Sequence, residues 1–354
     1  MSEPVSLTEL SYDELVAWIT GLGEPPFRAA QVFQWIHHLL AAEFSAMTNL
    51  PADLRQRLTD LAVLKSVRQL ESITSADGLT TKVLLQLFDG ESIETVLMHY
   101  QGRHTVCVST QVGCPVACAF CVTGQSGFKR NLSSGEIVDQ VLHFARQLHE
   151  QLDAAITNVV LMGMGEPLLN YEATLKAIRI VNDPRGMGIG ARRFTVSTAG
   201  VVPGIRRLAG EGLELGLAVS LHAADNELRN RLVPLNKRYP VSELIAACRE
   251  YIHATGRRVT FEYALIETVN DTIQHARDLA GMLRNMQCHV NLIPCNPNLR
   301  GSFRPSSRER VLAFRAELNR LRINNTVRLE RGIEIRAGCG QLRSRTAGEG
   351  AIPG

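Results

Sequence analysis

The chain has 354 residues, of which 45% are hydrophobic and 21% charged, and its formal net charge is +3. This length suits one large α/β domain or two smaller units, and the hydrophobic content is ordinary for a globular protein. The sequence has no run of about 18 uncharged apolar residues and no basic, apolar leader, so we expect a cytoplasmic protein without a membrane segment.

The first hundred residues are predicted to form helices followed by a β-hairpin. A capping box beginning at Ser11 precedes an apolar run, and residues 27–36 place apolar side chains at helical spacing. Residues 83–98 contain two strand-like runs joined by Asp89-Gly90, a pair typical of hairpin turns. We therefore expect an accessory unit at the N-terminus.

From residue 104 onward, strand and helix patterns alternate. Apolar, β-branched runs occur at 104–110, 157–163, 192–198, 215–222, 257–265 and 288–294. Helical patterns lie between them, near 134–150, 171–182, 202–210, 241–254 and 272–285. Such alternation implies parallel strands with right-handed crossovers. Six units suit an incomplete (β/α)6 barrel, in which chemistry gathers at the C-terminal ends of the strands.

A last helix at 307–320 and a strand at 325–331 lead into a C-terminal tail that carries Cys339. The predicted division of the chain is therefore an N-terminal accessory domain at 1–100, a partial barrel at 101–332 and a tail at 333–354.

Arginine is concentrated near the C-terminus. Twelve arginines lie within 46 residues: Arg300, Arg304, Arg308, Arg310, Arg315, Arg320, Arg322, Arg328, Arg331, Arg336, Arg343 and Arg345. Guanidinium groups suit phosphate, so a polyanionic partner fits this pattern, and a solvated helix face around 307–322 is the alternative.

Three of the eight cysteines form a tight motif. Cys114, Cys118 and Cys121 have C-x₃-C-x₂-C spacing in the loop after the first barrel strand. Thiolates are the usual ligands of iron–sulfur clusters. Three of them leave the fourth iron of a [4Fe–4S] cluster open to the amino and carboxylate groups of S-adenosylmethionine (SAM). The alternative is a zinc site, for which His104 is the nearest additional ligand in sequence.

The triplet resembles the hallmark of the radical SAM superfamily, and further motifs resemble the RlmN/Cfr family of RNA methyltransferases. These motifs lie at 27–36, 47–50, 106–114, 123–132, 163–170, 220–223, 291–294 and 337–342. The resemblance spans roughly residues 10–345, and several motifs in the right order are far more specific than any one. Pro167, after Gly165-Glu166, is similar to the RlmN branch.

The resemblance implies an activity, cofactors and partners. The RlmN branch methylates C2 of an adenosine in 23S rRNA and of an adenosine in tRNA, whereas the Cfr branch methylates C8 of the same rRNA adenosine. Adenine C2 has no nucleophilic electron pair, so radical chemistry is required. The implied cofactors are one [4Fe–4S] cluster and two SAM molecules per turnover. The implied partners are 23S rRNA, tRNA and an external electron donor such as flavodoxin or ferredoxin, and we expect a monomer.

The resemblance also assigns catalytic roles. One SAM methylates Cys339, and a radical from the second SAM converts this methyl group into a methylene radical that adds to the adenine. Glu94 is the general base that removes the C2 proton, and Cys107 resolves the protein–RNA crosslink through a transient disulfide with Cys339. Without the family, Glu94 would be interpreted as a surface strand carboxylate and Cys107 as a buried strand cysteine.

The remaining site residues are cofactor ligands by resemblance. Cys114, Cys118 and Cys121 bind the cluster. The residues expected to bind SAM are Gly165, Glu166, Ser197, Ser220, Leu221, His222 and Asn296. By itself, His222 would be interpreted as a structural histidine.

Two features of the sequence depart from the usual pattern of the family, and one alternative function remains open. Gly338 stands where the family usually has alanine, and the loop at 297–303 is unusual, which affects substrate geometry more than chemistry. A non-catalytic, zinc-stabilised RNA-binding module would explain the triplet and the arginines, but it gives Cys339 and Glu94 no purpose.

Overall fold

The structure is a computed structural model that describes residues 4–296, 303–328, 332–338 and 340–342. The N-terminal part is helical, as predicted. Its helices and short strands are β1 (Val5–Ser6), α1 (Tyr12–Gly21), α2 (Phe27–His37), α3 (Ala52–Leu61) and β2 (Ala62–Val63). The capping box at Ser11 is confirmed, since its hydroxyl accepts from the Glu14 backbone N–H and Glu14 accepts in return.

The predicted hairpin is confirmed as part of a three-stranded antiparallel meander. Its strands are β3 (Val67–Thr74), β4 (Thr80–Leu87) and β5 (Ser92–Tyr100). Gly90 has φ of 84°, which the Asp-Gly turn requires. Arg130 and Lys129 bind Asp89 and Glu91 at 2.6 Å each and fasten this turn to the residues after the cysteine triplet.

The triplet lies in an excursion that follows the first barrel strand. The elements of this segment are β6 (Arg103–Cys107), β7 (Gln111–Gly113), α4 (Val122–Gln125) and β8 (Phe128–Asn131). Because β7 and β8 pair in antiparallel fashion, the two ends of the segment between them, which carries the cysteine triplet, lie next to each other. This pairing was not predicted from the sequence.

The predicted strand–helix alternation is confirmed in the rest of the chain. The strands are β9 (Asn158–Leu161), β10 (Phe194–Thr198), β11 (Gly216–Ser220), β12 (Val259–Leu265), β13 (Cys288–Pro294) and β14 (Asn325–Val327). The helices are α5 (Ser134–Leu152), α6 (Tyr171–Asn182), α7 (Val202–Ala209), α8 (Asn226–Leu232), α9 (Val241–Thr255), α10 (Ile273–Leu283) and α11 (Arg308–Arg320). Several elements are shorter than expected, and α8 was not expected.

As far as the described residues extend, ten of the strands form one sheet in the order β14-β13-β12-β11-β10-β9-β6-β5-β4-β3. Strands β1 and β2 form a separate pair, and so do β7 and β8. From β6 to β14 all neighbours are parallel, and from β6 to β3 all are antiparallel. The predicted run of parallel strands of an incomplete barrel is therefore confirmed, and the hairpin continues its sheet. The boundary at residue 100 falls inside this sheet, and the proposed domain division remains a prediction.

Helix α5 connects the N-terminal helices to the barrel. Twelve of its 19 residues are buried, and the Arg146 guanidinium donates to the carbonyls of Leu40 and Ala41. Ser134 donates to the carbonyl of Glu9 from the first turn of the same helix. In the described part of the chain, none of the helices combines the length and the apolar character needed to cross a bilayer.

Candidate active site

One cavity at the C-terminal ends of the parallel strands collects most of the predicted ligands. Those that line it are Cys114, Cys118, Cys121, Gly165, Glu166, Ser197, Ser220, His222 and Asn296. Leu221 is fully buried beside this cavity but is not among the described residues that line it. Residues far apart in sequence thus meet where the barrel topology predicts.

Close backbone contacts shape the triplet loop. Gly113 has φ of 76°, and a Cβ atom there would overlap the carbonyl oxygen of Gly127, which accepts from the Cys114 backbone N–H at 3.0 Å. Only glycine fits at this position. Ala119 donates to the carbonyl of Leu232 at 3.0 Å, so helix α8 supports the loop from below.

The three thiols are partly enclosed and influence one another. Burial, together with the nearby Glu166 and Cys121, raises the pKa of Cys114 to about 12, although backbone hydrogen bonds lower it. Burial and its two neighbouring cysteines raise the pKa of Cys118 well above its usual value. Without a metal these two thiols are protonated, and a metal must displace their protons when it binds. Three sulfur ligands in one cavity fit an iron–sulfur cluster with one open iron.

The zinc alternative requires ligands that converge on a single ion. Within the described ranges, no group of three or more His, Cys, Asp or Glu side chains is arranged in this way. His104, the ligand considered from sequence, lies on β6, where its Nδ1 is 2.8 Å from Nδ1 of His99. A closed zinc site is therefore not formed by the described side chains.

The glycine loop after β9 binds the segment that precedes the triplet. A Cβ atom on Gly163 would lie 2.7 Å from the Val108 carbonyl oxygen, and one on Gly165, which has φ of 104°, would lie 2.8 Å from the Gln111 nitrogen. The Met164 carbonyl accepts from the Gln111 and Thr110 backbone N–H groups. Both glycines are thus required by close approach.

Glu166 ends this loop as a buried carboxylate. It accepts from the backbone N–H groups of Ala199 at 2.6 Å and Leu168 at 3.2 Å. Burial raises its pKa to about 7, although these hydrogen bonds lower it. A carboxylate at this position can accept a hydrogen bond from an ammonium group in the cavity.

His222 follows β11 with φ of 61° and is 4% exposed. Its Nδ1 accepts from the Ala264 backbone N–H at 3.0 Å, and its ring lies edge-on to Phe120 with centroids 4.6 Å apart. Burial, aided by Arg229, lowers the pKa of His222 to about 3. The ring is therefore neutral, and since Nδ1 accepts, this network assigns the proton to Nε2.

Sequence reasoning missed Arg229, which lies beneath the cavity and is fully buried. Its guanidinium donates to the carbonyls of Ala199, Ser220 and Leu221 and to the Asn236 side chain at 2.7–3.0 Å. It thereby ties together the ends of β10 and β11. Burial lowers the pKa of Arg229 to about 10.

A signal for Arg229 was present in the sequence. Leu228 and Leu232 bracket the arginine, and helical spacing places all three on a buried face. An arginine on such a face must find several hydrogen-bond acceptors.

A second group of predicted residues lies on the antiparallel part of the sheet. Val96 pairs directly with Cys107 and with Lys82, and Glu94 is two residues before Val96. Side chains directly opposite each other, or two apart on one strand, share a face. Lys82, Glu94 and Cys107 therefore share one face of the sheet.

This second group is buried. Glu94 is 1% exposed, so the interpretation of a surface carboxylate is wrong. Its Oε1 lies 3.1 Å from Nζ of Lys82, which is 5% exposed. Cys107 is also buried, and no disulfide joins any two described cysteines.

Described parts of the tail connect the two groups. Lys82 donates to the carbonyl of Arg336 at 3.3 Å, and the Val122 backbone N–H donates to the carbonyl of Gly340 at 2.8 Å. Cys339 lies outside the described residues, so its predicted pairing with Cys107 is not tested. A Cβ atom on Gly338 would lie 2.6 Å from Nδ2 of Asn296, so the family's alanine would require this side chain to shift.

Four of the described C-terminal arginines occur in two environments, ion pairs and a groove. Arg310 pairs with Asp271 at 2.8 Å, and Arg320 pairs with Glu317 at 2.7 Å. Arg308 and Arg315 line a groove that shares Pro294 and Cys295 with the main cavity. The ion pairs agree with a solvated helix face, and binding of a polyanion by the other arginines remains a prediction.

Comparison with known proteins gives concordant results. The family of ribosomal RNA large subunit methyltransferase N-terminal domains matches residues 5–64, and the radical SAM superfamily matches residues 108–280. A probable dual-specificity RNA methyltransferase RlmN from Moorella thermoacetica is 49% identical and one from Geobacillus kaustophilus is 45% identical. The alignments cover 97% and 96% of this chain and 98% and 93% of those proteins, respectively.

A solved structure agrees with these relatives. The crystal structure of a radical SAM methyltransferase from Sphaerobacter thermophilus superposes with a TM-score of 0.94 at 50% identity. The superposition covers 96% of this chain and 99% of that one. The cavity, the cysteine triplet and the glycine loop thus lie in a fold shared along nearly the whole chain. The chain therefore belongs to the RlmN family of radical SAM RNA methyltransferases.

Proposed function

We propose that this enzyme methylates C2 of an adenosine in 23S rRNA and C2 of an adenosine in tRNA. The observation that carries the proposal is a cavity lined by three thiols, a glycine loop and Glu166. The tail is held on both sides of Cys339, since Lys82 donates to the Arg336 carbonyl and Val122 donates to the Gly340 carbonyl. Relatives named as probable dual-specificity RNA methyltransferases support RNA as the substrate. A non-catalytic zinc module does not fit a chain that belongs to an enzyme family.

The cavity residues would hold two cofactors. Cys114, Cys118 and Cys121 would bind a [4Fe–4S] cluster. SAM would be bound by the residues predicted from sequence, namely Gly165, Glu166, Ser197, Ser220, Leu221, His222 and Asn296. When bound, these cofactors supply a methyl group and a carbon-centred radical. Apolar side chains such as Val116, Phe120 and Ile293 line part of the cavity and would limit the access of water to a reactive species.

The chain's own groups would carry the transferred carbon. Cys339 would hold it as a thioether and form a covalent link to adenine C2. The Glu94 carboxylate would accept the C2 proton, the C–H electron pair would stay with the ring, and the one unpaired electron left by the radical addition would be taken up by the oxidised iron–sulfur cluster. The Cys107 thiolate would then attack the sulfur of Cys339. The S–S bond would form as the bond from sulfur to the transferred carbon breaks, and the electron pair of that bond would go to the carbon, which would take up a proton and leave on the RNA as a methyl group. An external thiol would then reduce the disulfide.

We favour C2 over C8 as the target. Pro167 begins a short 3₁₀-helix directly after Glu166, whose carboxylate caps that turn. The sequence Gly165-Glu166-Pro167 is similar to the RlmN branch. Chromatographic retention of the methylated adenosine separates the two isomers in mass spectrometry.

The proposal is tested by two measurements. Anaerobically reconstituted protein should be brown and hold about four irons, as one [4Fe–4S] cluster requires. It should then form C2-methyladenosine in rRNA and tRNA when flavodoxin or ferredoxin supplies electrons. Cells that lack the gene should lose the same nucleoside. Colourless protein that contains zinc, or a C8-methylated product, would overturn the proposal.

A further inference from the structure

The buried ion pair between Lys82 and Glu94 lies outside the main cavity. Both side chains are almost fully enclosed, and their charged atoms are 3.1 Å apart. Lysine is rarely buried, and a buried charge is stable only when it is paired. The protein thus places a cation directly beside the carboxylate proposed as the general base.

Neighbouring strands hold this pair. Lys82 is on β4 and Glu94 on β5, and both strands are flanked on both sides by other strands of the sheet. The Glu94 carbonyl accepts from the Ser109 hydroxyl at 2.7 Å, and its backbone N–H donates to Sδ of Met164 at 3.4 Å. Because Met164 belongs to the glycine loop, the backbone of the base is fixed relative to the cavity.

The ammonium of Lys82 makes another contact, with the tail. It donates to the carbonyl of Arg336, which has φ of 54° and lies three residues before Cys339. Close by, a Cβ atom on Gly332 would lie 2.8 Å from Cγ2 of Thr80. Lysine has three donors and no acceptor, so one ammonium can bind a carboxylate and a carbonyl together.

We propose that Lys82 is a positioning residue: it fixes the Glu94 carboxylate and joins it to the tail segment that precedes Cys339. The inference rests on the proposed function, in which Glu94 accepts the C2 proton. By holding Oε1, Lys82 sets the direction of the carboxylate plane. It also keeps the base in a constant position relative to the backbone that carries the thiol.

The test uses full-length, cluster-loaded enzyme with an rRNA fragment that contains the target adenosine. The variants are Lys82→Met, Lys82→Arg, Glu94→Gln and the double variant Lys82→Met/Glu94→Gln. Three quantities are measured: methylation of Cys339 by intact-protein mass, the covalent protein–RNA adduct on a denaturing gel, and methylated adenosine. Lys176→Met is the control, because this lysine forms an exposed ion pair with Glu14.

We expect Lys82→Met to keep Cys339 methylation, to accumulate the covalent adduct and to form product about tenfold more slowly, a smaller loss than the roughly 100- to 10,000-fold that a general base itself contributes, because Lys82 only positions the base. Lys82→Arg should restore most of the rate, since it keeps the charge and the donors. The double variant should be no slower than Glu94→Gln, because Lys82 acts through Glu94. Lys176→Met should form product at the normal rate.

Three outcomes overturn the inference: a normal rate in Lys82→Met, an equal loss of Cys339 methylation in that variant, or a double variant clearly slower than Glu94→Gln. Lys82→Met removes the ammonium beside a buried carboxylate, so this variant can fold less well and fail to load the cluster. The comparison of Glu94→Gln with the double variant then decides, since both lack that carboxylate. Normal turnover in Glu94→Gln would instead refute the general base of the proposed function.

Discussion

The cavity and the Lys82–Glu94 pair are positioned in different ways. Loops at the ends of parallel strands form the cavity, and glycine contacts and backbone hydrogen bonds fix their shape. The ion pair depends on the register of antiparallel strands that are buried on both faces. Loops adapt to ligands at the end of a barrel, whereas paired strands hold two side chains in a constant relation.

The largest effect is expected in the cavity, for Cys118→Ser. The loss of one of the three thiolates removes an iron ligand, so we expect little bound iron and no detectable methylated adenosine. Iron content, visible absorbance and nucleoside mass spectrometry measure both effects. Cys248→Ala is the control, since this thiol is buried on α9 and should not affect iron content. A full iron complement in Cys118→Ser would contradict the assignment of this cysteine.

The second-largest effect is expected for Arg229→Met, which removes the guanidinium beneath the cavity. The substitution leaves the buried carbonyls of Ala199, Ser220 and Leu221 without the guanidinium. The Leu221 carbonyl still accepts from the Ala223 backbone N–H, but each group that becomes unsatisfied costs about 1–3 kcal/mol, so we expect the free energy of unfolding to fall by about 2 kcal/mol or more. Urea unfolding measures the change. Arg231→Met on the exposed side of α8 should alter stability by less than about 0.5 kcal/mol, and equal losses in both variants would show that Arg229 has no special role.

A smaller effect is expected for Gly165→Ala. The left-handed φ of 104° and the approach to Gln111 both oppose a Cβ atom, so the strain should cost about 1–3 kcal/mol and weaken SAM binding. Thermal unfolding and SAM titration measure these changes. In Gly281→Ala, on helix α10, the Cβ atom meets open space, and we expect stabilisation of about 0.5–1 kcal/mol. If Gly165→Ala is as stable as that control and binds SAM normally, the loop is not constrained as described.

The same contrast explains what could be predicted from sequence. The parallel strands and their helices follow from periodicity, and the cavity follows from their topology, which gathers motifs such as Gly165-Glu166 and Ser220. Strand β3 was missed because it is polar and exposed along much of its length, with Leu70 itself 43% exposed. Helix α8 was missed because seven residues make only two turns.

The Lys82–Glu94 pair could not be predicted from periodicity. Alternation on a strand indicates one buried and one exposed face, and Glu94 would belong to the exposed face. In the structure Lys82 contacts the tail, which lies more than 250 residues further along the chain, at Arg336. Long-range contacts of this kind leave no local pattern, so both the burial of Glu94 and its lysine partner required the structure.

The smallest effect concerns neither site and depends on pH. His37 is 1% exposed in the N-terminal unit, and in the described structure its two ring nitrogens have no hydrogen-bond partner. Burial lowers its pKa from 6.5 to about 3. The unfolded chain therefore binds a proton below about pH 6.5 that the folded protein does not bind until about pH 3. The contribution of the buried, neutral His37 to the free energy of unfolding is therefore fully present above pH 6.5 and is lost as the pH falls toward 3.

We therefore expect His37→Leu to reduce the acid sensitivity of folding. One such histidine accounts for roughly 2 kcal/mol of lost stability between pH 7 and pH 5, because the slope approaches about 1.4 kcal/mol per pH unit. The variant still loses some stability on acidification, because burial also lowers the pKa values of His143 and His222. Urea unfolding at both pH values measures the difference, with exposed His253→Gln as the control. If His37→Leu and His253→Gln lose the same free energy of unfolding on acidification, His37 is protonated in the folded protein at pH 5 and is not sealed from water.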